Sequence, residues 1–300
     1  MRLHLLLVAC LLDASSALAL RRRAMGGAPK KKKKVAKLPP PPRGGAAPPP
    51  RPATPEGAAP PSGAHLAAVK AAVETRAEVL CNALEDGHAV VEGFLSPTTV
   101  AALLAEARSL DARLVPSQST RWNGTDTVAF DKDGVRSYQI LGGDAYDDCP
   151  RLTEYVVALT RALAGVVNDR PSLRKLDAAR QTNKLAVCDA VGASYPKHVD
   201  NGGGGDPRLL TAIVYLAAPP AGGAFRAYAP TADARTEIAP RPGTLVAFWA
   251  DRLVHDVAAV EECRGPDDAR WALTVWLCAD DAAVVEPTPP AVLAHHFPGA

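Results

Sequence analysis

Three side chains in this sequence can grip one ion together. His198 and Asp200 lie two residues apart in Tyr195-Pro196-Lys197-His198-Val199-Asp200-Asn201, a run that reads as a strand. Side chains at i and i+2 leave a strand on the same face. His255, in Trp249-Ala250-Asp251-Arg252-Leu253-Val254-His255-Asp256-Val257, is the third candidate. Two histidines and one carboxylate make the ligand set of non-haem Fe(II) sites, which leave positions open for small co-substrates. A histidine two residues from an aspartate is common by chance, so the pair needs support from elsewhere in the chain.

That support comes from Arg270, which opens the otherwise apolar run Arg270-Trp271-Ala272-Leu273-Thr274-Val275-Trp276-Leu277. On its own, an arginine at a strand end reads as a surface charge. Downstream of His198, Asp200 and His255 it is suited to hold the distal carboxylate of 2-oxoglutarate, because its planar fork pairs bidentately and stays charged when buried. Arg264 rivals it by spacing but sits in the loop Glu261-Glu262-Cys263-Arg264-Gly265-Pro266-Asp267-Asp268. His88, beside an apolar run with no ligand-type neighbour, reads as a structural histidine.

Elements must bring residues 55 positions apart to one point. Leu66, Val69, Val73, Ala77, Leu80 and Leu84 recur at helical spacing up to Asp86-Gly87, and His88 to Leu95 reads as a buried strand. Ser96-Pro97 is an N-cap with proline at the first helical position, opening a helix through Leu110. A turn-rich stretch follows, then an amphipathic helix from about Arg151 to Val167. After Pro171 the texture changes to short β-rich runs: Leu185 to Cys188, Tyr195 to Asp200, Leu209 to Leu216, Ala224 to Tyr228, Thr236 to Ala239, Thr244 to Trp249, His255 to Val260 and Trp271 to Cys278. Helices first and strands second predict an α+β domain, a double-stranded β-helix (jelly roll) braced by N-terminal helices.

The front of the 300-residue chain differs from the rest. Residues 1–20 carry a short apolar run behind Arg2 and the small-x-small site Ala17-Leu18-Ala19, the anatomy of a signal or targeting peptide too short to span a bilayer. Residues 21–62 are basic and then rich in proline and alanine, without aromatics, and read as a disordered linker. The catalytic domain is expected over 63–281 and a C-terminal tail over 282–300. The leader favours the secretory pathway and endoplasmic reticulum, whereas Lys30 to Lys34 beside Pro29 suits the nucleus or cytoplasm. The net charge of +2 comes largely from Arg21 to Arg23 and Lys30 to Lys34, so the globular part offers no basic footprint for nucleic acid. No stable membrane insertion is expected, and the oligomeric state is left open. The six cysteines form no close metal-binding pair.

Several motifs together resemble the catalytic domain of the Egl-nine prolyl hydroxylases, which modify hypoxia-inducible factor and belong to the prolyl 4-hydroxylase group of Fe(II)/2-oxoglutarate dioxygenases. The resemblance is carried by Tyr195 to Asn201, Thr211-Ala212-Ile213-Val214-Tyr215-Leu216, Gly222-Gly223, Phe248-Trp249-Ala250-Asp251-Arg252 and Arg270 to Trp276, and extends over roughly Ala64 to Asp280. It implies that His198, Asp200 and His255 bind Fe(II), and that Arg270, Tyr215 and Thr274 bind 2-oxoglutarate. Arg208 would lie near the peptide-binding mouth. Dioxygen is the implied co-substrate, ascorbate the implied reductant that keeps the iron reduced, and a proline-containing protein or peptide the implied partner. Asp189 follows Cys188 where the family usually has a tyrosine, which removes a co-substrate contact and adds a negative charge.

Other readings remain at this stage. The same class could oxidise another side chain or a small molecule. The fold could be a catalytically degenerate binding module, or a cupin-like metal isomerase or lyase, which would give Arg270 no role.

Overall fold

The structure is a computed structural model describing residues 64–122, 127–141, 146–202, 205–281 and 284–298. The leader, the basic run and the proline-rich segment lie outside the described residues, as does Asn123-Gly124-Thr125, an N-x-T pattern that would be a glycosylation acceptor in a secreted chain.

Helical periodicity in the N-terminal stretch produces two helices, α1 (Ala64–Thr75) and α2 (Ala77–Glu85), where one continuous helix is expected from spacing. Arg76 leaves the helical conformation (φ −112°, ψ 11°), and its guanidinium donates to Ala72 O and Gly93 O. The first strand, β1 (His88–Val91), ends earlier than the apolar run suggests, and the chain turns at Gly93 (φ 59°). Helix α3 (Pro97–Ser109) starts as read: the Ser96 hydroxyl accepts from Thr99 N at 3.2 Å. Helix α4 (Pro150–Asn168) buries Leu152, Tyr155, Leu159, Leu163 and Val167 along one stripe. Each such side chain contributes about 1.5–3 kcal/mol by leaving water. Its N-terminus is closed by Glu106 of α3, whose buried carboxylate accepts from Arg151 N and Leu152 N. Burial pushes this carboxyl's pKa up against those bonds.

The turn-rich stretch is in fact a hairpin, β2 (Val115–Trp122) and β3 (Thr127–Tyr138). Then come β4 (Leu176–Cys188), β5 (Tyr195–His198), β6 (Arg208–Ala217), β7 (Ala221–Gly222), β8 (Phe225–Tyr228) and β9 (Arg235–Ile238). The last strands are β10 (Leu245–Trp249), β11 (His255–Val257), β12 (Val260–Glu262) and β13 (Arg270–Ala279). A major sheet runs β1-β10-β6-β13-β4-β3-β2 and a minor one β5-β11-β8-β9, with β12-β7 as a separate pair. All pairings are antiparallel.

Period-two alternation divides the major sheet into two faces. On β6 and β13, Leu210, Ala212, Val214, Leu273, Val275 and Leu277 join the helix-side core. Ile213, Tyr215 and Ala272 join Phe225, Phe248 and Ala227 in a second core between the sheets. This is the expected jelly roll braced by N-terminal helices, and the inter-sheet face carries the candidate site.

The C-terminal stretch is not a free tail. Helix α5 (Pro290–His296) lays Val292 against Val199, Tyr228 and Val254, with Phe297 beside them. Among the described residues all five cysteines are free thiols, and no helix is long and apolar enough to cross a membrane.

Gly222 is a point of steric necessity. It adopts φ +80°, and a Cβ there would lie 2.2 Å from Ala259 O and 2.6 Å from Glu261 N. Gly222→Ala is expected to cost more than ~2 kcal/mol, because backbone strain and a backbone clash act together. A urea titration of the two proteins checks this.

Candidate functional site

β5 and β11 pair so that His198 and His255 are direct cross-strand partners. Their rings lie 4.2 Å apart between centroids, at 51°. Asp200 follows two residues after His198, just beyond the end of β5 rather than inside a strand as its spacing suggests. Its loop is fixed by Asn201 N donating to Ala250 O at 2.9 Å. Asp200 Oδ1 lies 3.4 Å from His198 Nε2 and 3.7 Å from His255 Nε2. One ligand atom from each of the three residues falls within 4.8 Å of the others.

Hydrogen bonding shows which nitrogens are available. His198 Nδ1 lies 2.8 Å from Pro196 O, and His255 Nδ1 lies 3.0 Å from Leu253 O. A carbonyl can only accept, so each Nδ1 carries the proton and each neutral ring keeps its lone pair on Nε2. Two lone pairs and a carboxylate oxygen therefore converge. Their mutual repulsion makes the site fit a divalent cation. Phe225 stacks on His255 at 5.1 Å and 20°, with Phe248 at 4.7 Å, so the ring is held by packing as well.

Burial pushes the Asp200 carboxyl up, but positive charge on His255 and His198, present only when the rings are protonated, and the Thr211 hydroxyl outweigh it and hold the group well below the usual carboxylate range at low pH. Burial and His198 push the His255 imidazole down to about 4 against the pull of Asp200. Both groups are thus in their ligating forms at neutral pH.

Arg270 is 3% exposed, and its Nε donates to Gly223 O at 3.0 Å. Among the described residues no carboxylate lies within ion-pair distance of it. Its guanidinium lies 5.0 Å from the centre of the Tyr215 ring, and the buried Tyr215 hydroxyl makes no hydrogen bond of ordinary geometry. A buried cation without a carboxylate partner, beside a buried hydroxyl, suits an anionic, oxygen-rich ligand. Thr274 shares the inter-sheet face of β13, four residues along from Arg270. Arg264 is exposed in the preceding loop, so burial favours Arg270 over it.

Arg208 is engaged in holding the Asp200 loop. Its Nε donates to Asp206 Oδ2 at 2.9 Å and its Nη2 to Asp200 O at 3.0 Å, while its guanidinium lies over Trp276 at 5.4 Å. Asp189 is paired as well. Arg136 of β3 donates to its carboxylate through Nε at 2.8 Å and also holds Asp111 at 2.9 Å, so the negative charge expected near the pocket is paired with a guanidinium that it shares with a second carboxylate. Sequence reasoning does not find Arg136, Thr211 or Trp276, because none has a ligand-type neighbour in the chain.

The description "2OG-Fe(II) oxygenase superfamily" matches residues 184–278, the stretch holding His198, Asp200, His255 and Arg270. A homologue of the chain is the hypoxia-inducible factor prolyl hydroxylase of Caenorhabditis elegans, 30% identical over 200 residues. The match covers 64% of this chain and 26% of that protein, so the chain spans about a quarter of its relative's length. The fold is shared with a Trichoplax adhaerens prolyl hydroxylase in complex with a hypoxia-inducible factor peptide fragment. The TM-score is 0.56 at 23% identity, covering 70% of this chain and 91% of that one. A Pseudomonas putida prolyl-4-hydroxylase gives a TM-score of 0.51 at 22% identity, covering 71% of this chain and 100% of that one.

The buried imidazole of His255 links the stability of the fold to pH. In the unfolded chain His255 titrates near the ordinary value of 6.5, against about 4 in the fold. Between these values the unfolded state binds more protons, so the contribution is complete above the upper value and is lost as pH falls through the window. The depressed Asp200 carboxyl continues the loss at lower pH. The urea midpoint of the metal-free protein is expected to drop across this window, and to drop less in His255→Gln.

Proposed function

We propose that the chain is an Fe(II)- and 2-oxoglutarate-dependent dioxygenase that hydroxylates prolyl residues at the 4-position in a protein or peptide, releasing succinate and CO2. The observation that carries this reading is the convergence of two Nε2 lone pairs and Asp200 Oδ1 on the sheet face that also carries the buried cation of Arg270. His198, Asp200 and His255 would hold the iron, which supplies the oxidising chemistry when bound.

Each protein group has a defined task in this reading. His198 and His255 present the Nε2 lone pair to the iron while each Nδ1–H donates to Pro196 O or Leu253 O. Arg270 takes the distal carboxylate of 2-oxoglutarate, with the Tyr215 hydroxyl as an adjacent donor and Thr274 lining the same face. Phe225, Phe248, Ile213 and Ala272 keep water from the inner pocket. Ascorbate serves as the reductant that maintains the iron between turnovers. The catalytic domain is assigned to residues 63–281.

The prolyl assignment is supported by the homologue's named activity and by the named activities of proteins sharing the fold. Incubation of a proline-containing peptide library with the full chain, Fe(II), 2-oxoglutarate and ascorbate tests it by mass spectrometry. A one-oxygen gain on proline is expected. Succinate production with no modified proline across the library would redirect the reading to another substrate of the same chemistry.

A further inference from the structure

Asp200 lies outside the strand ladder, so no backbone pairing of its own aims its carboxylate. Two donors do so instead. Thr211 Oγ1 donates to Asp200 Oδ2 at 2.7 Å, and Trp276 Nε1 donates to the same oxygen at 3.0 Å. Oδ1 is the oxygen left facing both imidazole Nε2 atoms. Thr211 and Trp276 are direct partners in the β6–β13 ladder, so one cross-strand register sets both donors. Thr211 is fully buried, and the Trp276 indole is backed by Arg208, which also bonds the Asp200 carbonyl.

We infer that Thr211 and Trp276 are positioning residues that commit Asp200 to a cation through Oδ1 alone. A carboxylate with both oxygens free can chelate an ion through the pair and so occupy two of its positions. With Oδ2 engaged by two hydrogen bonds, only one oxygen is presented, and a position stays open for co-substrate. The hydroxyl and the indole N–H also favour the ionised carboxylate, which is the ligating form. This inference rests on the reading of His198, Asp200 and His255 as the metal ligands.

The test uses Co(II) as the probe, titrated without oxygen into the full chain, with affinity and visible ligand-field bands read together. Thr211→Val and Trp276→Phe keep most of the packing and delete one donor each. Each is expected to weaken Co(II) binding by about 10-fold or more, the usual effect of removing a ligand's hydrogen-bond partner. Each is also expected to change the ligand-field bands, which loss of packing alone would not do. Thr211→Ser retains the hydroxyl and is expected to restore both. Thermal melts of the metal-free variants identify any that fail to fold.

Wild-type affinity and bands in both Thr211→Val and Trp276→Phe would overturn the inference. So would a Thr211→Ser protein as weak as Thr211→Val, since that would assign the effect to packing. Failure of the underlying metal reading looks different: wild-type protein and His255→Ala would then bind Co(II) equally.

Discussion

Asp200→Asn is expected to abolish turnover, lowering metal affinity by more than ~10²-fold, and at the same time to stabilise the metal-free protein. The first effect is loss of the carboxylate from a site where two neutral imidazoles remain, which exceeds the 10–100-fold cost of disturbing an outer partner. The second follows from hydrogen-bond accounting. The amide oxygen can accept from the Thr211 hydroxyl and the Trp276 N–H in place of Oδ2. Its NH2 group then faces the two Nε2 lone pairs that in the wild type oppose Oδ1 at 3.4 and 3.7 Å. A repulsive contact becomes an attractive one. Asp200→Ala should instead be destabilised, because the buried hydroxyl and indole N–H lose their acceptor, at about 1–3 kcal/mol each. Urea midpoints in chelator, beside succinate assays, separate the two variants. Equal stability loss in both would show that the convergent lone pairs are not what strains the metal-free site.

The second large effect is expected at Arg270. Arg270→Gln should raise the KM for 2-oxoglutarate by about 10²-fold, from the loss of charge-assisted hydrogen bonds worth roughly 1.5–3 kcal/mol each. At saturating co-substrate kcat should recover largely, since an anchor remote from the reacting atoms contributes uniform binding. Arg270→Lys should recover little of the affinity. A lysine keeps the charge but cannot present the planar fork, nor donate through Nε to Gly223 O while addressing a carboxylate. Initial rates against 2-oxoglutarate concentration for the three proteins decide this. An unchanged KM in Arg270→Gln would direct attention to a different anchor.

Much of this architecture is legible in the chain. The β-rich apolar runs Leu209 to Leu216 and Trp271 to Cys278 place β6 and β13 to within a residue or two of their observed ends. These two central strands carry Thr211, Tyr215, Arg270 and Trp276. The β2–β3 hairpin is not legible, because Asp131, Lys132, Asp133 and Arg136 break the alternation within β3. Arg76 likewise interrupts a helical pattern with no glycine or proline to announce the break.

At the site the division follows contact order. His198 and Asp200 are visible because they are two residues apart, and His255 because its type completes a known ligand set. The bonds from Thr211 and Trp276 to Asp200 span 11 and 76 residues and reflect strand register, which no local pattern encodes. The pairing of Asp189 is hidden for the same reason: its partner Arg136 lies 53 residues away on another strand.

The most direct test of the central claim is conversion of 2-oxoglutarate under isotope-labelled dioxygen by the full chain loaded with Fe(II). One labelled oxygen atom should enter succinate for each CO2 released, with no conversion in Asp200→Asn or in the absence of oxygen. Full metal loading with no succinate formed, or turnover of a substrate that proceeds without 2-oxoglutarate, would contradict the assignment of these residues to an Fe(II)/2-oxoglutarate centre.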